Sequence, residues 1–171
     1  FGSTLEEDAK NFSPDFLIYY WGGSVQFIAE ELGLELDEVT TFRKIDVAPE
    51  TFTIKSGLEI KKGTIAAMHW GVQGLKDGKV RVSAENYEVL HPDMTPDWYR
   101  PPAGSGGYRI ELVGTPSMTL DLSFAGEDPL QDAMVATGMT GVNAIHRVRA
   151  ASPGIVRALK ELPAAHGIFR T

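Results

Sequence analysis

The sequence contains no cysteine, and this absence removes several classes of protein at once. Without thiols there is no disulfide framework, no thiolate nucleophile and no cysteine-ligated zinc. Long hydrophobic runs are also missing, since stretches such as 16–21 are far too short to cross a bilayer. No basic segment followed by an apolar stretch opens the chain, which argues against a secretory signal. These features favour a cytoplasmic protein without a membrane partner.

Positive charge is scarce, with 16 Lys and Arg against 23 Asp and Glu and a net charge of −7. A nucleic-acid partner is therefore not expected, because phosphates are bound by clustered Lys and Arg. The 171 residues, 43% of them hydrophobic, suit one globular domain with a substantial core. The chain begins with Phe1 rather than Met, so we expect it to be processed or to be part of a longer protein.

Familiar catalytic motifs are absent too. No G-x-G-x-x-G follows a predicted strand, and there is no P-loop, G-x-S-x-G elbow or H-E-x-x-H. The scattered histidines favour satisfied polar side chains over a metal site, which needs several convergent ligands; they are His69, His91, His146 and His166. The carboxylates fit solvated helix faces and caps better than acid–base catalysis. We expect no metal and assign no catalytic residue, which leaves a binding surface.

Residue periodicity divides the chain into two helices, several strands and a final helix. Ser3 or Thr4, each with an acidic residue three positions later, predicts a capping box for a short opening helix. Ser13-Pro14 starts a second helix, which Gly22-Gly23 interrupts and Gly33 ends. Alternating patterns predict strands at 39–47, 52–55, 63–74, 79–89, 108–113 and 117–124, with hairpin turns at Asp77-Gly78 and Gly114-Thr115-Pro116. The fold class is α+β, with a largely antiparallel or mixed open sheet and helices packed on one face.

Large aromatic side chains mark two further features. His69 and Trp70 are neighbours on one predicted strand, so they must face opposite sides of the sheet. Trp98 and Tyr99 lie in the long Pro- and Gly-rich segment 90–107, which has the length of a lid or binding loop. These two side chains either anchor that loop or line a ligand or partner site.

The final helix is apolar on two sides with a polar seam between them. Asp128 is a suitable N-cap and Pro129 fits the first helical position. A helix that is apolar on both sides must be covered on both sides. Thr137 lies at the centre of one apolar side, where it either bonds back to the preceding turn or lines a pocket. A functional role is favoured more strongly for Asn143 than for Thr137. A buried amide without hydrogen-bond partners costs about 1–3 kcal/mol of stability, so it needs such partners.

The sequence of this final helix, and of the residues that follow it, resembles that of a known protein family. Residues 136–148 (ATGMTGVNAIHRV), 151–155 (ASPGI) and 162–163 (LP) resemble the closing segment of dihydrodipicolinate reductase-like proteins. More narrowly, they resemble the C-terminal domain of the 2,4-diaminopentanoate dehydrogenase and amine dehydrogenase group. Three earlier stretches agree in order and spacing: 28–38 (IAEELGLELDE), 63–67 (GTIAA), and 91–98 (HPDMTPDW) with 106–110 (GGYRI). The chain departs from the family pattern at Gly138, His146 and Ser152.

The resemblance implies that residues 1–171 form a single C-terminal domain, similar to that of dihydrodipicolinate reductase. It would bind substrate and form a homodimer through its sheet, in an oxidoreductase that uses NADH or NADPH and acts on C–N, C=O or C=N groups. A Rossmann domain is expected earlier in the parent protein, so this chain by itself should bind no dinucleotide and should be inactive. By the same resemblance, Thr137, Met139 and Asn143 are the predicted substrate-binding residues. The alternatives are a free-standing small-molecule-binding module and an oligomerisation module.

Overall fold

The computed structural model describes residues 1–101, 106–124 and 126–155. The chain divides into two compact units, Phe1–Tyr99 and a second one that begins at Arg100. The elements of the first unit are α1 (Leu5–Asn11), α2 (Pro14–Leu17), a π-turn (Ile18–Gly22), α3 (Gly23–Glu31), β1 (Glu38–Val47), β2 (Phe52–Thr53), β3 (Glu59–Ile60), β4 (Ile65–Lys76) and β5 (Lys79–Val89). Those of the second are β6 (Gly107–Leu112), β7 (Met118–Ser123) and α4 (Pro129–Ala150).

The helix ends of the first unit follow local sequence signals. The Glu7 N–H donates to Thr4 Oγ1 at 3.2 Å and the Thr4 N–H donates to Glu7 Oε2 at 2.8 Å, which completes the predicted capping box of α1. At the end of α3, Gly33 adopts a φ of +70°. The Leu34 N–H then donates to the Ala29 carbonyl at 2.9 Å, as in a Schellman motif. Both predicted boundaries are confirmed.

The predicted interruption at Gly22-Gly23 takes the form of a π-turn. The chain stays helical from α2 into α3, but Ile18–Gly22 is wound more loosely. Gly22 is buried, and a Cβ there would lie 3.3 Å from Ile18 Cγ2. The turn changes the direction of the side chains that follow it, which matters for the pocket described below.

The main sheet has the order β1-β4-β5, with both neighbouring pairs antiparallel. β4 and β5 are joined at Asp77 and Gly78, whose φ values of 52° and 68° suit the tight hairpin predicted there. Trp70 and Val72 face the helices, whereas His69 and Gly71 face the opposite side of the sheet.

Two apolar clusters hold the first unit together. The larger one joins helices to the sheet and contains Leu17, Val25, Ala29, Val72 and Val82. Gly74 on β4 allows α3 to approach closely, since a Cβ there would lie 2.9 Å from Val25 Cγ1. The smaller cluster lies beneath the β2–β3 ribbon and contains Ala48, Ile60, Ala66, Ala67 and Met94. Complete burial of side chains such as Val25 and Ile60 stabilises the fold by about 1.5–3 kcal/mol each.

Within its described residues, the second unit contains a hairpin and a long helix. β6 and β7 pair antiparallel, with Tyr108 opposite Leu122 and Ile110 opposite Leu120. Directly opposed residues share a face, so one side of this ribbon is apolar. The Gln131 N–H donates to Asp128 Oδ1 at 3.1 Å, as the predicted N-cap of α4 requires.

The α+β, antiparallel fold class is confirmed, but the strands in the described ranges are divided among three small sheets. The segment predicted at 52–55 is shortened to Phe52–Thr53, and it pairs with Glu59–Ile60, for which no strand was predicted. Among the helices that the structure describes, none is both long enough and apolar enough to traverse a lipid bilayer.

Candidate functional site

A pocket of ≈380 Å³ opens on the helix-covered face of the first unit, between α2 and the main sheet. Its lining residues are Phe12, Phe16, Leu17, Tyr20, Trp21, Arg43, Met68, Trp70 and Glu88. We call it the aromatic pocket, because five of these side chains are aromatic rings. Its volume lies within the usual range of about 300–1,000 Å³ for small-molecule sites, and its mostly apolar lining with few charged groups is typical of them.

The π-turn supplies one wall of this pocket. Phe16 and Tyr20 lie side by side with ring centroids 4.5 Å apart, and Trp21 packs edge-to-face on Trp70 at 4.9 Å. The adjacent Tyr19 does not line the pocket and is 83% exposed. Tyr20 is also largely exposed, at 62%, so the wall that it forms lies at the solvent edge of the pocket.

Arg43 closes another side, and its charge is already compensated. Its Nη1 and Nη2 donate to the two carboxylate oxygens of Asp8 at 2.5 and 2.7 Å, in a bidentate pair. The guanidinium also lies 4.2 Å from the centroid of the Phe12 ring. The hydrogen bonds from Arg43 are the largest influence on Asp8 and hold the pKa of its carboxyl below the usual value, against the effect of burial. The side chains of Arg43 and Asp8 are only 16% and 18% exposed, so this pair links α1 firmly to β1.

Glu88 is the other charged group of the aromatic pocket. It is half-buried on β5, directly opposite Met68 on β4. Within the part of the chain that the structure describes, its carboxylate has neither a hydrogen-bond donor nor an ion-pair partner. The aromatic pocket therefore combines apolar walls with one carboxylate that has no counter-charge from these residues.

A second cleft, of ≈550 Å³, lies between the end of α3 and the start of β1. It is larger but more polar, and several carboxylates line it. One of them, Asp37, accepts hydrogen bonds from Lys76 Nζ and from the Asp77 N–H, both at 2.8 Å. This carboxylate holds the hairpin in place, so we favour the aromatic pocket as the candidate site.

The opposite face of the sheet carries a packed aromatic cluster around His69. Its ring stacks on Tyr87 at a centroid distance of 3.9 Å, with Trp98 5.5 Å away. Trp98 also packs against the smaller apolar cluster. Of the two roles considered for Trp98, the structure supports loop anchoring. The His69 side chain is only 11% exposed, so this cluster offers little open surface.

A hydrogen-bond network around Glu85 determines which ring nitrogen of His69 is the donor. Burial tends to raise the pKa of Glu85, but hydrogen bonds from Ser83, His69 and Tyr87 outweigh it, and the pKa lies below its ordinary value. Glu85 is therefore ionised at neutral pH and can only accept. Since His69 Nε2 lies 2.8 Å from Glu85 Oε2, that nitrogen must carry the proton.

The predicted substrate-binding residues all lie on α4, in the second unit. The helix places Met139 and Asn143 on one side, one turn apart, and Thr137 on another. Thr137 Oγ1 donates to the Ala133 carbonyl at 2.9 Å, which is the predicted back-bond to the preceding turn. Thr137 is exposed, Met139 is 36% exposed and Asn143 is half-buried. Their role as substrate ligands stays a prediction.

The sequence pattern did not reveal the aromatic pocket. One available signal was the run at 16–21, which places large apolar side chains all around the helix rather than along a single face. The other was Arg43 on the apolar side of β1. A charged residue there needs a buried partner, although its pattern does not identify Asp8. In the described ranges 1–101, 106–124 and 126–155, no three His, Asp or Glu side chains converge to hold a metal ion.

The fold is similar to a little under half of a solved amine dehydrogenase. It resembles the structure of amine dehydrogenase from Mycobacterium smegmatis, with a TM-score of 0.63 and 22% identity, over 98% of this chain and 45% of that one. The chain belongs to the 2,4-diaminopentanoate dehydrogenase C-terminal domain family, whose model matches residues 19–171. It is also 29% identical over 172 residues to an amine dehydrogenase from Streptomyces virginiae, covering 99% of this chain and 48% of that protein. The chain thus spans about half the length of these relatives, and the family resemblance is confirmed.

A dehydrogenase family implies a nicotinamide cofactor, and the residues described here do not fit one. Dinucleotides place their pyrophosphate on free N–H groups where a strand leads into a helix. The junction of β7 and α4 is the one place in the described ranges where a strand leads into a helix. There Asp128 Oδ1 accepts from the Gln131 N–H and Asp132 Oδ2 accepts from the Gly126 N–H, at 3.1 and 3.0 Å. These carboxylates occupy the donors and would repel phosphates.

Proposed function

We propose that this chain is the substrate-binding and dimer-forming part of an oxidoreductase that uses NAD or NADP and acts on C–N bonds of amines or amino acids. The observation that carries the proposal is the family match over residues 19–171, supported by the relatives named amine dehydrogenase. Enzymes of this class exchange a hydride between the nicotinamide and the carbon that bears nitrogen. The contribution of this chain would be to hold and orient the substrate.

We propose further that the dinucleotide is held by another part of the parent protein. Two observations support this: the relatives are about twice as long as this chain, and the junction of β7 and α4 carries carboxylates instead of free N–H groups. The catalytic groups would lie there as well. Thr137, Met139 and Asn143 would then contact the substrate from α4. The Thr137 hydroxyl has donated its hydrogen to Ala133 but keeps acceptor capacity for a substrate N–H.

The dimer would form through the apolar side of the β6–β7 ribbon. Its side chains are 46–59% exposed: Tyr108, Ile110, Leu112, Met118, Leu120 and Leu122. An exposed, contiguous apolar surface of this kind is typical of an interface. We expect sedimentation of the parent protein to show a dimer, and Leu120→Glu to shift it to the monomer. A parent protein that stays monomeric at high concentration would contradict this part of the proposal.

The test of activity uses the full-length parent protein. It should oxidise amines or amino acids with reduction of NAD or NADP, followed by the absorbance of the reduced nicotinamide. Thr137→Val should lower kcat/KM, whereas Thr140→Val should not, although Thr140 makes the same back-bond to Ala136 at 3.1 Å. No turnover with either nucleotide in either direction would reject the proposal. Ligand binding without turnover would favour the free-standing binding module instead.

A further inference from the structure

We infer that the aromatic pocket binds an ammonium group carried on an apolar substituent, with Glu88 as its anionic partner. The inference deepens the proposed function, on which it rests, because it selects amines without a carboxylate from the possible substrates.

The apolar walls of the aromatic pocket determine which substituent on the ammonium group can fit. Phe16, Tyr20, Trp21 and Trp70 surround a volume of ≈380 Å³, which suits a short alkyl chain or a single aromatic ring. The faces of aromatic rings also attract cations, so these walls tolerate a nearby ammonium group better than an anion. A polar substituent would lose its hydration against them without gaining hydrogen bonds.

The charged side chains of the aromatic pocket determine which charged group of a ligand it accepts. Arg43 is the cation of the pocket, and Asp8 satisfies it with two hydrogen bonds. The carboxylate of Glu88 has no partner among the residues that the structure describes. An ammonium group would supply that partner. The α-carboxylate of an amino acid would instead meet Glu88 and find no unpaired cation, so amino acids should bind weakly.

Tryptophan fluorescence of the full-length protein can measure binding without cofactor. Trp21 and Trp70 line the aromatic pocket, whereas Trp98 lies in the His69 cluster, so a Trp98→Phe background removes the contribution of the one tryptophan of this chain that lies outside the pocket. The probes are 2-phenylethylammonium, neutral 2-phenylethanol and L-phenylalanine. We expect the ammonium to bind about tenfold more tightly than the alcohol, and L-phenylalanine to bind more weakly than the ammonium. Equal affinity for the ammonium and the alcohol would overturn the inference.

Glu88→Gln tests the anionic partner while keeping the shape of the side chain. It should bring the affinities of the ammonium and the alcohol within about twofold of each other, by lowering only the former. Glu59→Gln is the matched control, since Glu59 is exposed on β3 and lines no part of the pocket. An unchanged preference for the ammonium in Glu88→Gln would overturn the role of this residue.

Tyr20→Ala and Tyr19→Ala test the location. Tyr20 lines the aromatic pocket and the neighbouring Tyr19 does not. We expect Tyr20→Ala to raise the KM for arylalkylamines with little change in kcat, and Tyr19→Ala to change neither. A rise in KM with Tyr19→Ala alone would contradict the assigned wall.

The two proposals can fail separately. Amine turnover that responds to neither Glu88→Gln nor Tyr20→Ala would leave the dehydrogenase function intact and overturn the inference. Ammonium binding that depends on Glu88, in a protein with no nicotinamide-linked activity, would support the inference and reject the proposed function.

Discussion

The pair formed by Asp8 and Arg43 predicts a combined change in stability and ligand preference. Asp8→Asn keeps the shape of the side chain but removes its charge. One of the two hydrogen bonds from Arg43 is lost, because the amide nitrogen cannot accept, and the other loses its anionic acceptor. Arg43 is only 16% exposed and water can replace the lost acceptor only in part. A hydrogen bond to a charged group contributes about 1.5–3 kcal/mol, and breaking a buried ion pair costs about 3–5 kcal/mol. Because this pair is not completely buried, we expect a loss of about 2 kcal/mol of unfolding free energy.

The contribution of Asp8 to the free energy of unfolding depends on pH, and the direction of that dependence follows from the pKa of Asp8. The pKa of Asp8 is lowered in the folded state from the ordinary value of 3.8. Its stabilisation is therefore fully present above that value and is lost as the pH falls through the lower, folded pKa. Wild type and Asp8→Asn should differ at pH 7 and converge in strong acid.

Urea unfolding followed by near-ultraviolet circular dichroism is the assay, because the contact of Trp21 with Trp70 lies beside the pair. Asp8→Asn, Arg43→Met and the double variant form a double-mutant cycle that isolates the coupling energy. Glu6→Gln is the control, since its ion pair with Lys10 is 69–82% exposed and contributes about 0.5 kcal/mol or less. A coupling energy between Asp8 and Arg43 no larger than the contribution of the exposed pair would refute the predicted stabilisation.

The same substitution should alter which ligands the aromatic pocket accepts. With Asp8 neutral, Arg43 would be the unpaired cation that a carboxylate requires. We expect L-phenylalanine to bind about tenfold more tightly to Asp8→Asn than to wild type, and 2-phenylethylammonium to bind more weakly. An unchanged preference would mean that Arg43 does not exclude carboxylates through its pairing with Asp8.

Three further predictions concern stability. Gly71→Ala should cost about 1–3 kcal/mol by urea unfolding, because the new Cβ would lie 2.7 Å from the Ala84 carbonyl oxygen; Gly23→Ala, with open space around it, should be neutral or stabilising. Thr4→Ala should cost about 1 kcal/mol through loss of the capping box, seen as a lower Tm, and Thr4→Ser should restore it. Glu85→Gln should destabilise at neutral pH and converge with wild type in acid, because the pKa of Glu85 is lowered in the folded state; a pH-independent difference would argue against its ionised role.

Features that are set by residues close in sequence could be predicted. The capping box at Thr4 and Glu7 needs only residues three apart, and the turn at Asp77-Gly78 needs two residues that tolerate positive φ. The opposite orientations of His69 and Trp70 follow from the two-residue period of a strand. The family assignment also came from local patterns, since each resembling segment is short.

Features set by distant residues could not be predicted. Asp8 and Arg43 are 35 residues apart in sequence, and nothing in either segment identifies the other. The strand Glu59–Ile60 has only two residues, too few to show an alternating pattern, and it forms by pairing with Phe52–Thr53. The aromatic pocket depends on the π-turn, because an α-helix through 18–22 would direct Tyr20 and Trp21 differently.

Helix α4 has apolar side chains on two opposite sides. The sequence pattern predicts that both sides are covered, but it does not identify the surfaces that cover them. Met134, Ile145 and Val148 on one side are 50–63% exposed, and Val135 and Val142 on the other are both 51% exposed. Water contact at this many apolar side chains opposes a stable helix of 22 residues, since most helical stability comes from packing an apolar face. One flat partner can cover only one of two opposite sides. We therefore expect α4 to pack against two separate surfaces in the parent protein, and hydrogen exchange should be slower along it there than in this chain alone.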